Sequence, residues 1–201
     1  MIPIFTIISK KEIKDGSQCL ELAAGLFGCV APRMNLSVPI NTDIALEGDK
    51  ALVYFIRPNT LGFGIHAAVY DDDNFIGFVP YNQKLPYMAE PGEHLFMVVS
   101  EAADFMKADL LPGKTYYVRV VPRMGAWRAR FSLAPVTKDQ LKTDKVRKQI
   151  EKATLIKNND SAYKWASDNH DSVLKKKAVY FKKWQSKDED QRPVLKANDG
   201  E

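Results

Sequence analysis

Cysteine is scarce in this 201-residue chain: Cys19 and Cys29 are the whole supply, and both precede residue 30. A disulfide framework holding a core further along is therefore excluded. Histidine is almost as rare, and His66, His94 and His170 are widely scattered, none at ligand spacing from a cysteine. A zinc site has no support, and no metal or cofactor is expected. No apolar run approaches the roughly 20 residues that a membrane-spanning helix needs. Also missing are a Walker loop, a dinucleotide fingerprint, a His-Glu-x-x-His pair and a Gly-x-Ser-x-Gly elbow, so nothing argues for an enzyme.

Charge of one sign is not abundant either, with a formal net charge of +4 and 25 carboxylates. That is a weak electrostatic footprint for nucleic acid, which is not an expected partner. The charge is unevenly spread, however. From Lys138 onward there are 16 Lys and Arg against 11 Asp and Glu, whereas the preceding part holds 13 against 14. Any attraction to anionic surfaces belongs to the C-terminal part.

What the chain does contain is a run of short apolar segments separated by turn chemistry, from Lys50 to Val121. Ala51 to Ile56 reads as a first strand, ended by Arg57-Pro58 because proline cannot donate to a ladder. Ile65 to Tyr70 and Phe75 to Val79 read as a hairpin around Asp71-Asp72-Asp73-Asn74. The three aspartates lack the frame of a calcium loop and are expected to form a solvated turn. Leu85 to Ala89 suits a short strand. Leu95 to Val99, apolar on both faces, suits a strand covered on both sides. Ala102 to Leu110 fits strand or helix. Pro91-Gly92 and Pro112-Gly113 supply the fixed and then positive φ of type II turns. Thr115 to Val121 is a further strand, and Trp127, Phe131 and Leu133 alternate with Arg128, Arg130 and Ser132 as a half-buried one. The expectation is a mainly β domain over residues 49–136, an antiparallel β-sandwich of about seven or eight strands.

Beyond Val136 the period changes to that of a helix. Thr137 caps an expected helix from Lys138 to about Lys157, with Leu141, Val146, Ile150 and Ala153 on one stripe. A second runs from Ser161 or Asp171 to Gln185, with Leu174, Ala178 and Phe181 at helical spacing. Residues 137–185 thus form a basic helical extension, and 186–201 a polar tail expected to be loosely ordered. In the second helix Lys175, Lys176, Lys177, Lys182 and Lys183 flank Phe181 and Trp184. That pattern fits a helix packed on a sheet, and equally a surface that meets a protein partner or an anionic membrane. His94, with Glu90 and Glu93, is the densest polar cluster of the β region. It reads as a turn whose charges face water, the other reading being an acid/base or metal group.

Several of these pieces, in this order, resemble the DUF2846 family of bacterial domains, itself similar to PEGA-type β-sandwich modules. The resemblance covers about residues 50–121. It rests on Ala51-Leu52-Val53-Tyr54-Phe55 with Arg57-Pro58, then Val69-Tyr70-Asp71 with Ile76-Gly77, then Pro91-Gly92-Glu93-His94, and last Pro112-Gly113-Lys114-Thr115-Tyr116-Tyr117-Val118-Arg119-Val120. It implies a β-sandwich, brings no catalytic residues, and implies an exported protein that is often a lipoprotein.

That implication bears on the N-terminus. Leu22 to Gly28 is apolar and small, ends in Leu26-Phe27-Gly28-Cys29, and has Lys10, Lys11 and Lys14 upstream. The stretch resembles a bacterial lipoprotein signal with Cys29 as the residue to be lipidated. Glu21, Phe27, Glu12 and Asp15 depart from that pattern, and an ordinary apolar segment with a free cysteine fits as well. With the signal real, residues 1–29 are processed and 30–48 form a linker. The functional expectation is a non-enzymatic binding or structural protein of the bacterial cell envelope, held by lipid on Cys29. The alternative is a cytoplasmic β-sandwich module that binds a protein or small ligand, with the N-terminus part of the fold.

Overall fold

A computed structural model describes residues 36–42, 44–62, 64–123 and 130–201. The chain is mainly β, with eleven strands in two mixed sheets and four α-helices among the described residues. The strands are β1 (Ser37–Pro39), β2 (Ala51–Ile56), β3 (Ala68–Asp71), β4 (Asn74–Phe78), β5 (Gln83–Ala89), β6 (Gly92–Val99), β7 (Ala103–Leu110), β8 (Thr115–Arg123), β9 (Arg130–Pro135), β10 (Thr154–Asn158) and β11 (Val194–Leu195). One sheet has the order β1-β10-β5-β2-β8-β9 and the other β11-β7-β6-β3-β4.

The strands of the middle region lie where the apolar runs put them, and the run from Ala102 resolves as strand. Gly113, after Pro112, has the positive φ of 69° that its turn requires. The expectation of seven or eight antiparallel strands is corrected. There are eleven, and the pairs β2–β8, β5–β10 and β7–β11 are parallel. The cause is that the chain leaves one sheet for the other between β2 and β8. A parallel neighbour needs a long crossover: strands of the opposite sheet contribute to it between β2 and β8, and the helices between β9 and β11 contribute to the other two.

The two sheets share one apolar cluster. Val53 and Phe55 of β2, Val69 of β3, Phe96 and Val98 of β6, Met106 of β7, Val118 and Val120 of β8 and Leu133 of β9 all belong to it. Because successive side chains of a strand point to opposite faces, Met97 and Val99 of β6 point away from that cluster. They enter a second one with Ala68, Tyr70, Phe78 and Phe105. This outer cluster is roofed by α3 (Asp160–Asp168) and α4 (His170–Gln185), through Ala162, Trp165, Val173, Phe181 and Trp184. β6 is covered on both faces, as its continuous apolar run requires. In β9, by contrast, Ser132 is buried along with Phe131 and Leu133, so that strand does not alternate as expected.

Three further expectations are revised. The single helix over Lys138–Lys157 is two helices and a strand: α1 (Lys138–Leu141), capped by Thr137 Oγ1 accepting from the Gln140 N–H, then α2 (Asp144–Lys152), then β10. β10 fills the edge of β5 that would otherwise expose a row of unpaired backbone groups, and it buries Ile156 completely. Residues 30–48 are not wholly a linker. Leu36 is 4% exposed within the outer cluster, and β1 pairs with β10. Nor is the tail loosely ordered. Leu195 of β11 is fully buried, the Tyr116 hydroxyl donates to the Ala197 carbonyl at 3.0 Å, and Thr115 and Glu201 exchange backbone bonds at 2.8 and 3.0 Å. The polar composition was misleading because main-chain pairing, which needs no apolar side chain, holds most of this segment.

Candidate functional site

Two polar constellations stand out, and they differ in what they leave free. The first lies where β3, β5 and β6 meet. Asp71 is buried, and its Oδ2 accepts from His94 Nδ1 at 2.7 Å and from the Tyr87 hydroxyl at 2.9 Å. The His94 Nε2 donates to the Glu90 carbonyl at 2.7 Å, and the ring stacks on Phe96. Both acceptors lack protons to give, so both bonds form together only when the imidazole carries two protons. The Asp71 hydrogen bond accordingly raises the His94 pKa against the opposing effect of burial, with the Glu90 carbonyl adding to the rise. Neither nitrogen is left for proton abstraction or metal binding in this state. The expectation of a turn whose charges face water holds for Glu90 and Glu93, which are exposed, and is corrected for His94, whose side chain is only 12% exposed. Tyr87 belongs to the opposite sheet, which makes the array a tie between layers.

This tie carries a pH dependence. A pKa raised on folding stabilises fully below the unfolded value of about 6.5, and that contribution disappears as pH rises through the folded value. The melting temperature is expected to climb as pH is lowered from 8.5 towards 6.5, and to gain nothing further from His94 below that. His94→Gln should flatten this slope and cost about 2 kcal/mol, because Asp71 keeps one partner only. An unchanged slope in differential scanning calorimetry would remove the tie.

The acidic turn is likewise not simply solvated. Asp72 sits at φ 52°, and Asp72 and Asp73 accept from Lys177 Nζ at 2.6 and 2.7 Å. Burial pulls the Lys177 pKa down, and the two carboxylates more than offset it. Lys176 donates to the Ser100 carbonyl at 2.6 Å. These two lysines of the basic helix fasten α4 to the sheet. Phe181 packs on Phe105 and stacks on Trp184, which is 2% exposed. The apolar stripe of α4 is therefore turned onto the sheet, and it runs through Val173, Phe181 and Trp184, while Ala178 is exposed. Lys175, Lys182 and Lys183 remain exposed. Cys29 lies outside the described residues.

The second constellation is a cleft of about 310 Å³ under the C-terminal end of α4. Among the described residues its walls carry Arg123, Arg130, Lys183 and Lys187, its aromatic side is Phe131, Tyr180 and Trp184, and Asp104 is the carboxylate. Asp104 Oδ1 accepts from Lys187 Nζ at 3.1 Å, and Arg123 Nη2 lies 3.7 Å from Oδ2. The Lys183 ammonium sits 5.3 Å from the centre of the Tyr180 ring. The sequence singled out Lys183 and Trp184 but not Asp104, Arg123 or Lys187. These come from β7, β8 and the segment after α4, and no local pattern announces a cleft shared by three distant segments. The alternation of arginine in the Trp127–Leu133 strand was the available signal for Arg130.

Among the described residues no helix is long and apolar enough to cross a membrane, and no group of three or more His, Cys, Asp or Glu is placed to hold a metal ion. No protein-family model and no curated protein sequence matches the chain.

Proposed function

We propose that this is a non-enzymatic binding or structural protein of the bacterial cell envelope, a β-sandwich similar to DUF2846 and PEGA-type domains, anchored by lipid on Cys29. The observation that carries the non-enzymatic part is the closure of the His94–Asp71–Tyr87 array on itself, with both imidazole nitrogens committed to fixed acceptors. The sandwich reading is supported by the apolar cluster common to the two sheets. The envelope reading rests on the Leu26-Phe27-Gly28-Cys29 sequence. It is tested by expressing the full chain in a bacterium and measuring the N-terminal mass. A chain beginning at a diacylated Cys29 in the membrane fraction is expected; an intact, unmodified Met1 in the cytosol overturns the anchor.

A second reading is a cytoplasmic module with its N-terminus built into the fold; the burial of Leu36 and the pairing of β1 carry the folded unit back to residue 36, and this reading extends it further. The two readings place the start of the folded unit differently. Under the first, a fragment from Leu36 unfolds with the stability of the full chain, and a fragment from Asp49 loses about 3 kcal/mol with Leu36 and β1. Under the second, removal of residues 1–35 alone already lowers the urea midpoint.

A further inference from the structure

We propose that the cleft beneath α4 binds a phosphate ester, with Arg130 and Lys183 holding the phosphoryl group and the aromatic wall taking the organic part. This rests on the binding reading above and is independent of the lipid anchor. Charge balance is the first support. Among the described residues that line the cleft, four cations accompany one carboxylate, and that carboxylate, Asp104, is already shared by Lys187 and Arg123. Among the described residues no carboxylate lies within ion-pair distance of Arg130 or Lys183. The two are exposed, and an anionic phosphoryl group, monoester or diester, offers them more than one oxygen to share. Arg123 and Arg130 stand directly opposite each other in the β8–β9 pair, on a sheet framework that fixes their spacing. A guanidinium fork matches phosphoryl oxygens in geometry as well as in charge.

Size and lining give the second support. At about 310 Å³ the cleft lies at the lower end of the range for small-molecule sites, and it is larger than a phosphoryl group needs. The remaining space is bounded by Tyr180, which is half-buried, and by the edges of Phe131 and Trp184, which are buried in the core and under α4. Trp184 is fixed by its packing on Phe105 and Phe181, so that side of the cleft needs no ordering when a ligand arrives. The same chemistry is presented by a free phosphate ester and by a phospholipid headgroup, and the sources are separable by experiment.

The test uses the full chain, titrated calorimetrically with glycerol 3-phosphate and, separately, co-sedimented with vesicles of phosphatidylglycerol or of phosphatidylcholine. Binding to glycerol 3-phosphate alone identifies a soluble ester, and binding to phosphatidylglycerol identifies a lipid headgroup; both support the site. In either case Arg130→Glu combined with Lys183→Glu should weaken binding at least about tenfold. Lys175→Glu combined with Lys182→Glu, on exposed positions of the same helix outside the cleft, should leave it within about twofold. Failure to bind either probe, or equal losses in the two paired variants, overturns the proposal, the latter by showing diffuse charge attraction. The N-terminal mass is indifferent to these substitutions, so loss of the ligand site and loss of the anchor are read separately.

Discussion

Replacing Arg57 with alanine is expected to cost about 4 kcal/mol of folding stability, among the largest losses any single side chain here should produce. Arg57 follows β2 and is fully buried. No carboxylate among the described residues pairs with it. Its guanidinium is instead received by main-chain carbonyls: Nη1 donates to Ile65 at 2.8 Å, and Nη2 donates to Gly62. Val79 and Leu61 lie at longer range, and the Phe131 ring sits 4.3 Å below. Burial lowers its pKa to about 10, which still leaves a cation at neutral pH. The alanine variant both opens a cavity and strands the carbonyls of the loop that joins β2 to β3. Arg57→Lys, with a compact ammonium in place of the fork, should recover about half of the loss. Urea unfolding at pH 7 checks this. A loss below about 1 kcal/mol for Arg57→Ala would mean that the loop carbonyls find water or other partners without the guanidinium.

Arg57 shows what one-dimensional reading reaches and where it stops. That β2 ends at Arg57-Pro58 follows from proline chemistry, and the structure ends β2 at Ile56. Nothing in the residue's neighbours along the chain says that the side chain turns inward, because its acceptors come from a loop of irregular φ and ψ and from Val79, over 20 residues away. The same division runs through the rest of the molecule. The β2, β6 and β8 segments are legible because alternation, or its absence, reports directly on which faces are covered. β10 is not, because Leu155 and Ile156 are adjacent apolar residues without alternation directly after the α2 stripe, and the vacant edge of β5 makes the segment a strand. Trp184 and Phe181 are recognisable as an apolar stripe, yet whether a stripe meets a sheet or a partner depends on Phe105 and the outer cluster, far away in sequence. The cleft is the least legible feature, since Asp104, Arg123, Arg130 and Lys187 converge only after both sheets and α4 are in place.

The other large effect is expected at Gly77, the last but one residue of β4, where alanine should cost about 3 kcal/mol or more. β4 is an edge strand, and its free side is covered by one side chain from the opposite sheet. Asn158 of β10 donates from Nδ2 to the Ile76 carbonyl at 2.7 Å and accepts on Oδ1 from the Phe78 N–H at 3.3 Å. The amide thereby stands in for a missing neighbour strand and joins the two layers. It approaches so closely that a Cβ on Gly77 would lie 2.5 Å from Asn158 Nδ2 and 2.7 Å from Leu85 Cδ2, and φ at this glycine is 154°. Moving the amide aside breaks both of its hydrogen bonds, at about 1 kcal/mol each, and moving Leu85 disturbs the shared core. Asn158→Ala alone should cost about 2 kcal/mol by the same bonds. In the double variant the clash with the amide is gone, so the losses should sum to less than the two single values, a coupling of about 1 kcal/mol or more in a double-mutant cycle. Strict additivity of the two substitutions in equilibrium unfolding would mean that Asn158 does not cap this edge.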